Sequence, residues 1–444
     1  MKKRIGFIAM SGIRAQDAEL LELGLTLPGF VERSKVIASL PSLSMLTLAA
    51  LTPAEQFDVE YHEILDLKSA GPLPGHFDLV ALTSLSAQIL EAYAVADHFG
   101  EMGIPVVMGG LHVTAMPDEA AEHAASVVVG EGEPVWPEVL ADFLAGALKP
   151  RYSARGREYD LRNAPVPRFD LLDPAKYNRI TVQTARGCPH KCEFCASSIL
   201  LTPKYKVKPP EKVIGEIRAI KRVWPRPFIE FADDNSFVHR PGGKELLRLL
   251  APEEVRWFTE ADIAVGEDDE LLGLMREAGC QQVLVGLESP SAESLRGLET
   301  ASDWKARKAG RYLENIARIQ SHGITVNGCF ILGLDDHTPD TFDQVFDFIR
   351  ASGLYEAQVT LLTPFPGTPL YRRLKAEGRI LQDGAWDRCT LFDINYQPRR
   401  MTPARLREGF HNLVRRLYSE EETAARRKGF RQRLRGKAEL AVPA

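Results

Sequence analysis

The chain has 444 residues, of which 45% are hydrophobic and 26% are charged. This composition is typical of a globular protein and excludes extensive disorder, and at roughly 100–200 residues per domain the length predicts two or three domains. The net charge of −5 argues against nucleic acid as a partner, because proteins that bind nucleic acid usually carry a basic excess.

The first residues are basic and then apolar, but the apolar run at residues 5–10 is too short for a secretion signal. No stretch of the chain approaches the roughly 20 apolar residues that a membrane span needs. We therefore expect a cytoplasmic protein without a transmembrane helix.

Residues 1–145 alternate between strand-like and helical segments. Such alternation predicts an α/β fold with a doubly wound parallel sheet, whose ligands lie beyond the carboxyl ends of the strands. Those ends carry Ser84 and Ser86, then Gly109-Gly110, then Gly130-Glu131-Gly132. The strand-like runs are residues 5–10, 79–83, 106–108 and 127–129, and the helical segment is 86–102.

Residues 146–178 contain four prolines and many charges, which is typical of an extended linker. The alternation resumes over 179–385, where six strand–helix units predict a partial (β/α)6 barrel with its site at the carboxyl ends of the strands. Residues 386–444 are expected to be helical, with Thr402-Pro403 starting a helix. The predicted barrel strands are 180–184, 228–231, 257–259, 283–286, 326–332 and 357–362, and the helices include 210–222, 268–278, 306–322 and 340–351.

Three of the six cysteines follow the first predicted barrel strand in a C-x3-C-x2-C pattern: Cys188, Cys192 and Cys195. Three thiolates can hold three irons of a [4Fe–4S] cluster and leave the fourth iron open to a substrate. The alternative is structural zinc, which needs a fourth ligand that His190 would have to supply. The other cysteines, at 280, 329 and 389, lack any close spacing and are interpreted as small buried hydrophobic residues.

With this motif, residues 179–385 resemble the radical S-adenosylmethionine (SAM) superfamily. The resemblance implies that SAM binds the open iron and is cleaved to a 5′-deoxyadenosyl radical by an electron from a donor such as flavodoxin or ferredoxin. The superfamily's usual double glycine after the second strand is missing, so the resemblance leaves Asp233 and Asp234 as contacts for the SAM amino group. The other residues that it implies in SAM binding are Phe194, Glu288, Ser289, Gly328 and Gly333.

Residues 1–145 resemble the cobalamin-binding domain that precedes many radical SAM domains, on the segments around Gly109-Gly110 and Gly130-Glu131-Gly132. Paired glycines let the backbone approach a bulky ring, and Ser84 and Ser86 could bind a nucleotide tail. The D-x-H-x-x-G element that supplies a histidine to cobalt is absent, since Ser11-Gly12-Ile13-Arg14 stands in its place. We therefore expect cobalt without a histidine ligand from the protein.

Together, the two resemblances imply a cobalamin-dependent radical SAM enzyme. The leading hypothesis is a C-methyltransferase that methylates an unactivated carbon of a small-molecule substrate, using methylcobalamin and the 5′-deoxyadenosyl radical. One alternative is a cyclisation, rearrangement or dehydration with the same cofactors, and another is a cobalamin-binding sensor without catalysis. A methylthiotransferase is set aside, because such enzymes carry further cysteines in the N-terminal domain and none precedes Cys188 here.

Overall fold

The computed structural model describes residues 2–10, 12, 15–22, 40–68, 70–202 and 204–440. Two parallel sheets of six strands each form its framework, and a short antiparallel pair lies in the sequence between the first two strands of the second sheet. The predicted α/β class, with an N-terminal doubly wound sheet before a partial barrel, is confirmed. The strands are β1 Lys3–Met10, β2 Phe57–Ile64, β3 Leu79–Ser84, β4 Val106–Gly109, β5 Ser126–Val129, β6 Arg151–Ser153, β7 Ile180–Val182, β8 Ala185–Arg186, β9 Lys206–Val207, β10 Phe228–Phe231, β11 Arg256–Ala261, β12 Cys280–Glu288, β13 Thr325–Leu332 and β14 Glu356–Leu361.

The helices cover the faces of both sheets, as parallel strands require for their right-handed crossovers. The predicted helix at 306–322 is two helices separated by a short turn. The helices are α1 Ala18–Glu22, α2 Leu43–Ala50, α3 Ile89–Glu101, α4 Leu111–Ala115, α5 Pro117–Ala120, α6 Trp136–Leu144, α7 Pro210–Val223, α8 Arg240–Leu250, α9 Asp269–Glu277, α10 Ala292–Leu295, α11 Trp304–Lys308, α12 Tyr312–Ser321, α13 Thr341–Ser352, α14 Pro369–Ala376, α15 Pro403–Leu417 and α16 Glu420–Leu440.

The N-terminal sheet has the strand order β2-β1-β3-β4-β5-β6, and all its pairs are parallel. The four predicted strands are present, but β2 and β6 at the two edges were not predicted. β6 lies inside the stretch expected to be a linker, where Leu161 and Phe169 are also buried. That stretch is therefore packed structure rather than an extended connection, although the division of the chain into domains stays a prediction.

The second sheet has the order β14-β13-β12-β11-β10-β7, with every pair parallel. All six predicted strands are present. Alternate residues such as Ile229, Phe231 and Trp257 are fully buried against the surrounding helices, so their neighbours on the other face point into the barrel. Because the strands are parallel, their carboxyl ends meet at one rim.

The C-terminal region completes both halves of the molecule. Tyr371 and Trp386 belong to a hydrophobic cluster with residues of the N-terminal sheet, while α15 packs on the barrel. The predicted start of α15 is observed, since the Thr402 hydroxyl accepts a hydrogen bond from Arg405 N. At the outer edge of β14, the Tyr418 hydroxyl accepts from Val359 N and donates to Ala357 O. Nowhere in the described ranges does a helix have the length and apolar character to cross a membrane.

Candidate functional site

The cysteine motif lies on a loop directly after β8. Gly187, which opens the loop, has a φ of +81°, and a Cβ there would lie 2.7 Å from Thr202 O. Any other residue would therefore be strained and would collide with backbone. The glycine fixes the direction in which the chain enters the three cysteines.

The three thiols gather at the rim of the barrel and are free of disulfides, with Cys192 buried and the other two half-buried. Asn235 Nδ2 lies 3.7 Å from Cys188 Sγ, and Ser198 Oγ donates to Cys195 Sγ at 3.3 Å. Burial raises the pKa values of Cys188 and Cys192 above the ordinary thiol range. Bound metal would favour the thiolates, and hydrogen bonds to cluster sulfurs are a means of tuning a cluster.

His190 does not complete a zinc site. Its Nε2 is 3.2 Å from Asp262 Oδ2 and its Nδ1 is 3.4 Å from Glu299 Oε1, so both ring nitrogens are occupied. Although burial acts to lower it, these two carboxylates raise the pKa of His190. Because carboxylates engage both of its ring nitrogens, His190 is not free to be the fourth ligand that the zinc interpretation needs.

Asp233 is turned into the protein. Its Oδ1 accepts from Thr184 N at 2.7 Å and from Ala185 N at 2.9 Å, and its Oδ2 accepts from the hydroxyls of Thr184 and Ser236. Asp233 thus has four internal donors and 3% of its surface exposed, and these bonds anchor the chain that leads into the cysteine loop. Its contact with the SAM amino group stays a prediction.

Asp234 differs from its neighbour because it faces open space. Its Oδ2 accepts from Gly187 N at 2.7 Å, and its side chain lines a cavity described below. Two residues that the sequence analysis missed lie beside it: Asn235 binds the Asp262 carboxylate through Nδ2 at 2.9 Å, and Asp262 N donates back to Asn235 Oδ1 at 3.0 Å. Asn235 could have been noticed from its place next to the acidic pair, but nothing in the sequence marks Asp262.

Glu288, at the end of β12, has a φ of +61°, which is unfavourable for a residue with a side chain. Its Oε1 accepts a hydrogen bond at 2.9 Å from Lys305 Nζ, which also donates to Gly286 O. Both side chains are buried, and Lys305 is close enough to Cys192 to lower its pKa. The neighbouring Ser289 is fully buried. Lys305 was missed because a single lysine in an amphipathic helix carries no signal.

At three other positions predicted to take part in SAM binding, contacts within the protein are enough to explain the residue type. Phe194 is half-buried and packs against the barrel core. A Cβ on Gly328 would lie 2.7 Å from the side chain of Leu354, and one on Gly333 would collide with Tyr396. Their part in SAM binding stays a prediction.

The interior of the barrel carries a group of carboxylates. The Glu230 carboxylate forms a salt bridge with Arg179. Glu260 lies on the inward face of β11, two residues beyond Phe258, which is the residue aligned with Glu230 in the neighbouring strand. Desolvation inside the barrel, together with the nearby carboxylates of Glu230 and Asp234, raises the pKa of Glu260 to about 8. The Glu260 side chain is itself exposed to the open barrel interior, and its carboxyl holds a proton to higher pH than an ordinary glutamate does.

A cavity of about 480 Å³ opens at the carboxyl ends of the N-terminal strands. Five of the six predicted residues there line it, and Ser86, which is buried at the start of the turn Ser86–Gln88, does not. The opposite wall comes from the barrel and includes Gln183, Arg186 and Asp234. One cavity thus reaches from the N-terminal sheet to the segment that precedes the cysteines. The five predicted residues are Ser84, Gly109, Gly110, Gly130 and Gly132.

No histidine is among the residues lining this cavity in the described part of the chain. His112, two residues after Gly110, is fully buried and its Nε2 lies 3.4 Å from Glu119 Oε1. Of the segment Ser11-Gly12-Ile13-Arg14, only Gly12 is within the described residues.

Comparisons with known proteins agree with this arrangement. Residues 182–349 match the Radical SAM superfamily, and residues 368–441 match a domain of unknown function, DUF4070. A bacteriochlorophyllide d C-12(1)-methyltransferase of Chlorobaculum tepidum is 29% identical over 393 residues, covering 86% of this chain and 84% of that protein. A three-cysteine loop at the rim of a partial barrel, set against an α/β sheet domain, defines the class of radical SAM enzymes with an N-terminal sheet domain. Residues 182–349 therefore carry a radical SAM domain.

Two solved structures share the fold of both halves. The radical SAM methyltransferase TsrM of Kitasatospora setae, with cobalamin and a [4Fe-4S] cluster bound, has a TM-score of 0.63 at 17% identity, covering 92% of this chain and 85% of that chain. The cobalamin-dependent SAM radical enzyme OxsB, with aqua-cobalamin and SAM bound, has a TM-score of 0.66 at 15% identity, covering 89% of this chain and 65% of that chain.

Proposed function

We propose that this protein is a cobalamin-dependent radical SAM enzyme that methylates a carbon atom of a small-molecule substrate. The observation that carries the proposal is the shared cavity, because its walls come at once from the glycine loops of the N-terminal sheet and from the segment leading into the cysteine loop. When bound, the cluster supplies the electron that cleaves SAM, and cobalamin supplies the methyl group.

The residues fit these groups. Cys188, Cys192 and Cys195 would hold the cluster, with Asn235 and Ser198 as hydrogen-bond donors to two of the sulfurs. Gly109 and Gly110 line the cavity at the sheet edge, where the lack of side chains would let a bulky ring approach the backbone. The absence of a lining histidine in the described residues supports the expectation that cobalt receives no imidazole from the protein.

The proposal of methyl transfer rests on the names of similar proteins. The Chlorobaculum tepidum protein is named as a methyltransferase, and so is the structural neighbour TsrM. A cytoplasmic location and an electron donor such as flavodoxin or ferredoxin belong to the same proposal. Both rest on the sequence analysis alone.

The test uses anaerobically reconstituted full-length protein incubated with hydroxocobalamin, a reductant and SAM carrying a deuterated methyl group. We expect about four irons per chain, bound cobalamin, release of 5′-deoxyadenosine and deuterated methyl on cobalt. A variant with alanine at all three cysteines should lose the iron and the 5′-deoxyadenosine but retain cobalamin. Wild-type protein that binds zinc instead of iron, or that binds no cobalamin, would overturn the proposal.

A further inference from the structure

Four charged side chains from the two halves of the molecule meet at one wall of the shared cavity. Arg186 Nη1 donates to Glu131 Oε1 at 2.9 Å, and Arg186 Nη2 donates to Glu133 Oε1 at 2.5 Å. Lys206 Nζ donates to the second oxygen of Glu131 at 2.7 Å. Two positive and two negative charges are thus brought together, and the group as a whole is neutral.

This network is withdrawn from solvent. The exposed fractions of the Arg186, Glu131 and Glu133 side chains are 16%, 9% and 8%. Exposed ion pairs contribute little and tolerate rearrangement, whereas removing one partner from a buried pair leaves a charge without compensation. The guanidinium fork also binds two separate carboxylates at once, which fixes its orientation in a way that an ammonium group could not.

The position of the network is what gives it a role. Arg186 is two residues before Cys188, and its Nε is held by Gln183 Oε1 at 2.5 Å. Glu131 and Glu133 alternate with Gly130 and Gly132, the glycines at the sheet edge. Arg186 and both carboxylates line the cavity themselves. One guanidinium therefore connects the segment that enters the cysteine loop with residues 130–133, the glycine-containing loop on the N-terminal side of the cavity.

We infer that Arg186 is a positioning residue that fixes the separation between the cobalamin cavity and the cluster loop. The inference rests on the proposed function and deepens it. Methyl transfer between two bound groups depends steeply on their separation, whereas reductive cleavage of SAM takes place at the cluster alone. Arg186 should therefore matter for the first reaction and not for the second.

The experiment compares Arg186→Gln, Arg186→Lys and wild type, each reconstituted with cluster and cobalamin. Arg157→Gln is the matched control, since Arg157 also pairs with a glutamate of the N-terminal domain, Glu138 at 3.0 Å, but on the surface. Pulsed EPR measures the dipolar coupling between Co(II) and the reduced cluster, with the oxidised, diamagnetic cluster as reference. We expect a narrow coupling in wild type and Arg157→Gln, a broadened or shifted one in Arg186→Gln, and an intermediate one in Arg186→Lys.

The second measurement is the ratio of S-adenosylhomocysteine to 5′-deoxyadenosine released from SAM. In Arg186→Gln it should fall by about tenfold to a hundredfold, the range that a displacement of roughly 1 Å produces, when both products are normalised to the bound cluster and cobalamin. Wild-type coupling and product ratio in Arg186→Gln would overturn the inference. Equal loss of iron, cobalamin and both products would also overturn it, because it would show a purely structural role.

If Arg186→Gln does not fold, the dipolar coupling and the product ratio of Arg186→Lys are compared with those of wild type and test the inference instead. The proposed function fails separately: wild-type protein without cobalamin would remove both proposals, whereas wild-type protein with cobalamin and unaltered Arg186 variants would remove only this one.

Discussion

The two neighbouring aspartates after β10 allow a sharp comparison, because one carboxylate is enclosed and the other is not. Asp233→Ala removes the acceptor of two buried backbone N–H groups, those of Thr184 and Ala185. An unsatisfied buried group costs about 1–3 kcal/mol, so the pair should cost about 2–6 kcal/mol. Asp234→Ala removes only the acceptor for Gly187 N, at the wall of a cavity that water can enter.

These costs translate into measurable shifts. A folding unit of about 150–250 residues, the size of the barrel, loses about 2–4 °C of Tm per kcal/mol. Taking about 4 kcal/mol for Asp233→Ala, we expect its Tm to fall by roughly 8–16 °C. The chain entering the cysteine loop should loosen at the same time, and the reconstituted iron content should fall.

The assay is differential scanning calorimetry of the protein before reconstitution, followed by iron analysis after it and SAM binding by equilibrium dialysis. Asp234→Ala should keep its Tm within about 4 °C of wild type and keep its iron, but bind SAM more weakly. A Tm for Asp233→Ala that matches wild type, with normal iron content, would refute the assignment of Asp233 as the anchor. Unaltered SAM binding in Asp234→Ala would refute the assignment of Asp234 as a contact for SAM.

Two further predictions concern the cavity and the barrel interior. Gly109→Leu should weaken hydroxocobalamin binding, because its side chain would occupy the cavity wall, and Gly109→Ala should keep its Tm, because a Cβ there meets no atom closer than 3.6 Å. Gly110→Leu should lose stability as well as binding, since Gly110 has a φ of +111° and a Cβ would lie 2.7 Å from Thr83 Oγ1. Equal binding by wild type and Gly109→Leu, measured by absorbance titration, would contradict the placement of the ring. Glu260 has a pKa of about 8 in the folded chain against 4.5 when unperturbed, so the unfolded state releases its proton first and stability declines as pH rises from about 4.5 to 8. Glu260→Gln should remove this decline, and Tm profiles with the same slope in both proteins would show that Glu260 does not titrate in this range.

The barrel could be predicted from the sequence because its strands are apolar and are bounded by helices with a clear period. β2 escaped notice because it lies at a sheet edge, where charged residues such as Asp58 and Glu60 alternate with less polar ones. β6 has three residues in a proline-rich stretch, too few to show any period.

The candidate site was predictable only where its residues are close together in the sequence. The spacing of Cys188, Cys192 and Cys195 identified the loop at once. Arg186 and its partners could not be matched, since Glu131 is 55 residues away and any of several arginines would have fitted as well. The different roles of Asp233 and Asp234 were also out of reach, because adjacent identical side chains differ only in the direction that the folded backbone gives them.

The contact of Tyr418 with β14 bears on how this protein can be engineered. β14 is the last strand of an open barrel, and an uncovered strand edge offers backbone groups to other chains. One phenol satisfies both a donor and an acceptor along that edge. A shortened version that stopped before α15 would expose the edge and favour self-association through strand addition. Minimal catalytic fragments of this enzyme should therefore be cut after residue 418, even though the cysteines and the cavity lie far upstream.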